Sequence, residues 1–578
     1  MSSAVPLTGA LARRNLTRRS VLALLGASAI TPLLAACGGS DESPTENGSS
    51  GAQGTQPAGS DTTPASSDST ATTDSGSSGE PQPGGTLRLA IIEDPDSLDP
   101  HGTIMLTASS IMQYIYDRLV YIGEDRMPHP WVAESWEISE DGTQVTFTIR
   151  EGIKFHDGTD LDAEAVKFTF DRFLDPATAA PAVSQLGTME SVEVVDGNKV
   201  RMNFSAPYAP LFTNLSGSYA GIISPTAVRE RGDTFGHNPV GSGPFMLKEW
   251  RAGQGITLAR NPDYKQYRDD HKNKGPAYLD EVEYRIIPEA ATRLAALERG
   301  ELDVSSIDVQ QVDRIKADPN YQVITWEEAT NMDFIEFTNK WPFTELAVRQ
   351  AINYCIDRES IAASAWNGQA TPNPLPIPVG VAGWDETLAE EYGYHYDLDK
   401  ARQVLADAGF TPGPDGVLEK DGQRLEFTLM VYSGNEMLKT AAEIIQATVR
   451  QVGIQMDIQI MDFAAMIPIL EAGESDCDLM RWTFADPVIL SLLFKSPGWT
   501  NQVSDPELDA LLEVADTTLD PDARIEAVHA AIKYILENAI IAPIVTDWIL
   551  SATRSNVKDY VWDALGNAKL TDVWIEQA

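Results

Sequence analysis

"WVAESWEISEDGTQVTFTIREGIKFHDGTDLDAEAVKFTFDRF", residues 131–173, changes its hydrophobic period partway along. Val145, Phe147 and Ile149 alternate with polar residues behind Glu140-Asp141-Gly142, the pattern of a half-buried strand leaving a tight turn. Asp157-Gly158 marks a second turn, with His156 beside it. Val166, Phe170, Phe173 and Leu174 then recur at helical spacing until Asp175-Pro176 stops them. A strand, a turn and a helix in one short stretch predict an α/β body.

The same alternation continues outward without a fixed repeat. Leu87, Leu89 and Ile91 read as a strand, as do Val200, Met202 and Phe204 after the Asp196-Gly197 turn. Leu398, Ala401, Val404, Leu405 and Ala408 share one helical face, stopped by Gly409. Residues 437–452 read as another helix, Gly453 as its terminator, and Ile454, Met456, Ile458 and Ile460 as the strand behind it. From Thr86 onward the chain is long enough for two or three domains.

The N-terminal end is different. In "TRRSVLALLGASAITPLLAACGGS", residues 17–40, the apolar run 21–36 is broken by Gly26, Ser28, Thr31 and Pro32. It falls short of the roughly 20 residues a spanning helix needs. Arginine pairs at 13–14 and 18–19 precede it and no acidic residue occurs before Cys37, which is the layout of an export signal. Leu34-Ala35-Ala36-Cys37 resembles a bacterial lipobox, and Arg18-Arg19 a twin-arginine motif, with the Sec route as the alternative. Residues 1–36 are therefore expected to be removed and Cys37 to carry lipid. Residues 37–83 lack the apolar content to form a core and read as a disordered linker.

A net charge of -42 argues against nucleic acid and anionic headgroups as surface partners. No Gly-Lys dipeptide, Gly-x-Ser-x-Gly elbow or His-Glu-x-x-His pair occurs, and the seven histidines are scattered. No catalytic residue, metal set or cofactor is expected, a secreted hydrolase being the minor alternative. Cys355 falls on the apolar face of Val348, Ile352 and Ile356 and reads as a packed thiol, while a bridge to Cys477 stays open.

Several ordered blocks carry a family resemblance. After the opening stretch come "PVGSGPFMLKEW" (239–250), "LARNPDY" (258–264), "AALERGELDV" (295–304), "PFTELAVRQAINYCIDRESI" (342–361) and "DLDKARQVLADAGF" (397–410). Together they resemble the family 5 extracellular solute-binding proteins, the dipeptide, oligopeptide and nickel receptors of ABC importers. The resemblance implies a two-lobed periplasmic-binding-protein-like (type II) α/β fold with an extra α/β domain inserted in the first lobe. Carried onto this chain, lobe one is 84–131, 223–326 and 541–578, the extra domain 132–222, and lobe two 327–540. It further implies a monomeric receptor on the extracytoplasmic face, capturing solute by hinge closure and delivering it to a membrane permease.

The resemblance also nominates ligand residues. In peptide-binding relatives a second-lobe segment reads Trp, two small residues, then Asp, whose carboxylate holds the peptide α-amino group. Here "RWTFADPVILSLLF" (481–494) supplies Trp482 and Thr483, but Ala485 takes the fourth place and Asp486 comes one residue late. Asp486 is then either a displaced amine anchor or a loop residue before Pro487. Peptide and oligosaccharide both remain open as ligands, since the Trp482 face stacks on either. "YIYDRLV" (114–120) adds Tyr116, Asp117 and Arg118, and "NMDFIEF" (331–337) adds Asn331 and Phe334.

Overall fold

The computed structural model describes residues 79–497 and 504–577; the expected signal peptide, Cys37 and most of the linker lie outside them. Strands Ala133–Ile138 and Gln144–Ile149 form an antiparallel hairpin whose turn uses Gly142 at φ +67, a conformation that costs glycine nothing. Lys199–Phe204 and Met189–Asp196 complete a four-stranded sheet. Helix Ala163–Leu174 packs on it, buries Val166, Phe170 and Phe173, and is capped by Asp162, whose carboxylate accepts from Ala165 N at 3.0 Å. A cap of this kind stabilises a helix by about 1 kcal/mol.

This inserted sheet shares one hydrophobic core with a second four-stranded sheet. There Thr86–Ile91 runs parallel to Glu281–Ile286, which is followed by Gly255–Arg260 and Phe245–Arg251 in antiparallel order. Val557, Leu570 and Val573 return to that core from the far end of the chain.

A separate core runs from Val309 to Leu550. Its mixed six-stranded sheet has the order Ala370–Pro372, Ile541–Asp547, Asn331–Phe337, Cys477–Thr483, Glu426–Tyr432, Gln455–Met461. The last two strands are parallel and joined by helix Glu436–Gln451, which ends before Gly453 at φ +84, as the periodicity anticipates. Two cores with two sheets are the two lobes. Ile541–Asp547 pairs with Asn331–Phe337, so the chain returns to the first lobe after this strand and not at residue 541 as expected. Passage between the cores runs through a small sheet in which Ile549–Arg554 lies between Val304–Ser306 and Tyr321–Trp326.

Cys355 and Cys477 are separate buried free thiols. Glu336 and Asp478 stand opposite each other in the second sheet, 3% and 0% exposed, two acids inside an otherwise apolar layer.

Candidate functional site

Ligand crevices in α/β sheets lie beyond the carboxyl ends of the parallel strands. In the second lobe these ends are Tyr432 and Thr483, on adjacent parallel strands. The neighbouring antiparallel strand begins there, pairing Asn331 with Thr483 and Asp333 with Arg481. Thr483 Oγ1 donates to Asn331 Oδ1 at 2.7 Å. Arg481 Nε donates to Asp333 Oδ1 at 3.0 Å, and its Nη2 lies 3.0 Å from Asp547 Oδ2 at the end of the next strand. One guanidinium is thus clasped by two carboxylates from two other strands.

Burial in this cluster is graded: the Asp333 side chain is 0% exposed, Asp547 11% and Arg481 23%. Burial pushes Asp333 up to about 7 against the pull of Arg481, and raises Asp547 as well. Burial also works against the Arg481 charge, but Asp333 and Asp547 more than offset it and hold the guanidinium above its ordinary value. Trp482 and Phe484 follow in sequence, their rings tilted at 6.2 Å between centroids, so an aromatic wall adjoins a charged floor.

Asp486 lies outside this floor and is fully occupied. Arg524 grips it with two hydrogen bonds, Nη2 to Oδ1 at 2.6 Å and Nη1 to Oδ2 at 2.8 Å. Val488 N donates to Oδ1 at 2.9 Å and Thr213 Oγ1 to Oδ2 at 2.9 Å. A carboxylate offers about four acceptor sites, and all are taken. Burial opposes its charge, yet the Arg524 pairing holds the pKa below the ordinary value. Of the two readings that the sequence leaves open for Asp486, this geometry favours the loop residue, because a ligand ammonium would have to displace Arg524. Thr213 belongs to a helix of the first core, so this carboxylate ties the two lobes together. Beside the tie lies a small cleft of about 40 Å³, lined by Ile122, Met127 and Phe212 from the first core and by Pro487, Leu519 and Ile525.

The first-lobe nominees are internal. Tyr116 is fully buried and donates to Leu98 O at 2.8 Å. Asp117 accepts from Ser242 Oγ at 2.9 Å and Tyr264 Oη at 3.1 Å, and burial raises it to about 6. Arg118 donates to the carbonyls of Ser216, Gln113 and Tyr116 and stacks over Trp131 at 4.3 Å; burial lowers it to about 10. Phe334 is fully buried within the second sheet. These four side chains are buried within the lobes. Asn331, Trp482 and Thr483 are the nominees that gather at one edge.

Sequence reasoning missed Asp333, Arg481 and Asp547. A signal existed: Asp333 falls among the apolar residues Met332, Phe334, Ile335 and Phe337, and an acid buried in such a run needs a partner. The partners lie 148 and 214 positions away along the chain and become neighbours only through strand order.

The family model for bacterial extracellular solute-binding proteins, family 5 Middle, matches residues 127–501, well over half of the chain. Heme-binding protein A of Haemophilus influenzae is 28% identical over 489 residues, covering 78% of this chain and 85% of its own. The probable D,D-dipeptide-binding periplasmic protein DdpA of Escherichia coli is 28% identical over 496 residues, covering 82% and 90%. Among solved structures, the periplasmic binding protein DppA of Helicobacter pylori in complex with the peptide STSA is similar with a TM-score of 0.62 and 25% identity, over 86% of this chain and 99% of that one.

Proposed function

The chain belongs to the family 5 bacterial extracellular solute-binding proteins, and from that premise we propose that it captures a peptide between its lobes and delivers it to an ABC permease. The observation that carries the reading is the charged, aromatic-flanked edge at the carboxyl ends of the second-lobe strands. There Thr483, Asn331, Asp547 and Arg481 offer both donors and acceptors, as a peptide backbone and its termini require. Peptide is also the ligand named for two of the similar proteins, although heme is named for a third.

The lobes that fit the two cores are 84–131, 223–308 and 551–578 for the first, with 132–222 inserted, and 309–550 for the second. A solute touching both lobes stabilises the closed arrangement by its differential contacts, which is how capture is signalled to a permease. The protein is a binder and not an enzyme in this reading, exported as a monomer and held to the membrane by lipid on Cys37. Native mass spectrometry of protein purified from its own host tests it. Peptide masses that leave on activation support the reading, whereas a sugar series or a porphyrin mass replaces it. Turnover of a bound solute would move the chain to the hydrolases.

A further inference from the structure

Asp333, Arg481 and Asp547 bring two carboxylates to one guanidinium in a setting largely removed from water. With both acids ionised the cluster carries one unit of negative charge without a partner. Buried charge in that condition is costly until it takes up a proton or a cation. A second feature points the same way. Asp547 is 7% exposed as a residue, and its Oδ1 is buried without a hydrogen-bond partner, with the Asn331 amide beside it favouring the charged form.

The arrangement is also directional. Asp333 lies wholly beneath the surface, whereas Arg481 and Asp547 keep part of their side chains at it. Arg481 donates to both Asp333 oxygens, from Nε at 3.0 Å and from Nη2 at 3.4 Å, and the same Nη2 lies 3.0 Å from Asp547 Oδ2, which holds the Asp547 carboxylate against the guanidinium. The strand end that carries Asp547 adjoins Asn331, and Asn331 is bonded to the exposed Thr483, one residue beyond Trp482. The acceptor lies at the sheet edge formed by the carboxyl ends of the second-lobe parallel strands, where α/β folds hold their ligands.

We propose that the Asp547 carboxylate, oriented by Arg481 and backed by Asp333, receives the ammonium group of the captured solute. It rests on the reading of the solute as a peptide, and assigns the amino end to a strand of the second sheet that lies far from Asp486 in sequence. Arg481 and Asp333 are positioning residues here: Arg481 holds the acceptor and Asp333 holds Arg481. The other titratable group facing the cluster, Tyr432 on the adjoining strand, is neutral in the ordinary range because burial raises it.

The test uses the mature protein freed of endogenous ligand, and two pools of random short peptides identical except that one is N-acetylated. Binding is read by native mass spectrometry and by competition. Wild type is expected to retain free-amine peptides at least about ten-fold better than acetylated ones, the selectivity of a charge-assisted bond. Asp547→Asn should lose that preference and Asp547→Glu, which keeps the charge, should recover part of it. Circular dichroism and melting identify any variant that fails to fold, in which case Asp333→Asn is scored by the same preference. Equal retention of both pools by wild type, or an undiminished preference in folded Asp547→Asn, overturns the subsite alone. Wild type that retains neither pool overturns the peptide reading and the subsite with it.

Discussion

Asp486 and Arg524 form a two-pronged ion pair at 2.6 and 2.8 Å inside the second lobe, and the same carboxylate accepts from Thr213 of the first. Asp486, which the sequence offers either as a contact for solute or as a loop residue, makes a contact between lobes, and its loop neighbour Pro487 forms part of the cleft wall.

Removing that carboxylate should destabilise the protein severely. Asp486→Ala leaves the Arg524 guanidinium, 12% exposed, without its partner. Breaking a buried pair from one side costs about 3–5 kcal/mol. Chemical denaturation should show the unfolding free energy falling by that amount, with a lower midpoint, and Arg524→Met combined with Asp486→Leu should recover much of it. A midpoint unchanged in Asp486→Ala would mean the pair is absent in solution.

Thr213→Val should act on shape and hardly on stability. It removes the Thr213 hydrogen bond to Asp486 while Arg524 and Val488 still satisfy the carboxylate. A net loss of about 0.5–1.5 kcal/mol shifts a two-state opening equilibrium several-fold. Small-angle scattering of ligand-free protein should give a larger radius of gyration for the variant than for wild type, at nearly equal melting temperatures.

The buried acid Asp478 should make stability fall as pH rises. Burial raises Asp478 to about 8, the Glu336 hydrogen bond pulling the other way, whereas an unfolded aspartate titrates near 3.8. Between those values the folded protein holds a proton that the unfolded chain has released. The stabilisation is therefore complete below about pH 4 and is lost as pH climbs through about 8. Asp478→Asn keeps shape and can donate to Glu336. Its melting temperature relative to wild type should climb by several degrees from about pH 5 to about pH 8, at roughly 2–4 °C per kcal/mol. Parallel curves for the two proteins would place the proton elsewhere.

Cys37→Ala should release the mature protein to the medium and abolish labelling by a fatty-acid analogue. Labelling that persists in the variant would assign the lipid to another residue. Replacing Arg18-Arg19 by two lysines should block export on the twin-arginine route and leave it intact on the Sec route.

Much of the fold was legible because local chemistry and global packing agree. Asp141-Gly142 demands a turn and Gly142 adopts positive φ; Asp162 and Asp397 each cap the helix that the apolar spacing predicts. The return point near residue 541 was not, since Ile541–Asp547 has the same apolar pattern whichever lobe receives it, and only its pairing with Asn331–Phe337 decides. The site divides in the same way. Trp482, Thr483 and Asn331 sit in segments with a recognisable pattern. Asp333 and Asp547 look like ordinary strand residues until Arg481 is folded between them. Tyr116, Asp117 and Arg118 show the converse: a memorable sequence whose side chains are consumed by the first core.

The sheet between the two cores has a mechanical meaning. Ile549–Arg554 is laddered on both sides, to Val304–Ser306 and to Tyr321–Trp326. One crossing segment cannot slip along another without tearing a row of backbone bonds, so translation of lobe against lobe is forbidden while bending of the strip is not. The arrangement resembles a bound book, with two covers joined by a spine that can flex but not slide. In the receptor proposed above, the angle between the covers is then the variable that a captured solute sets.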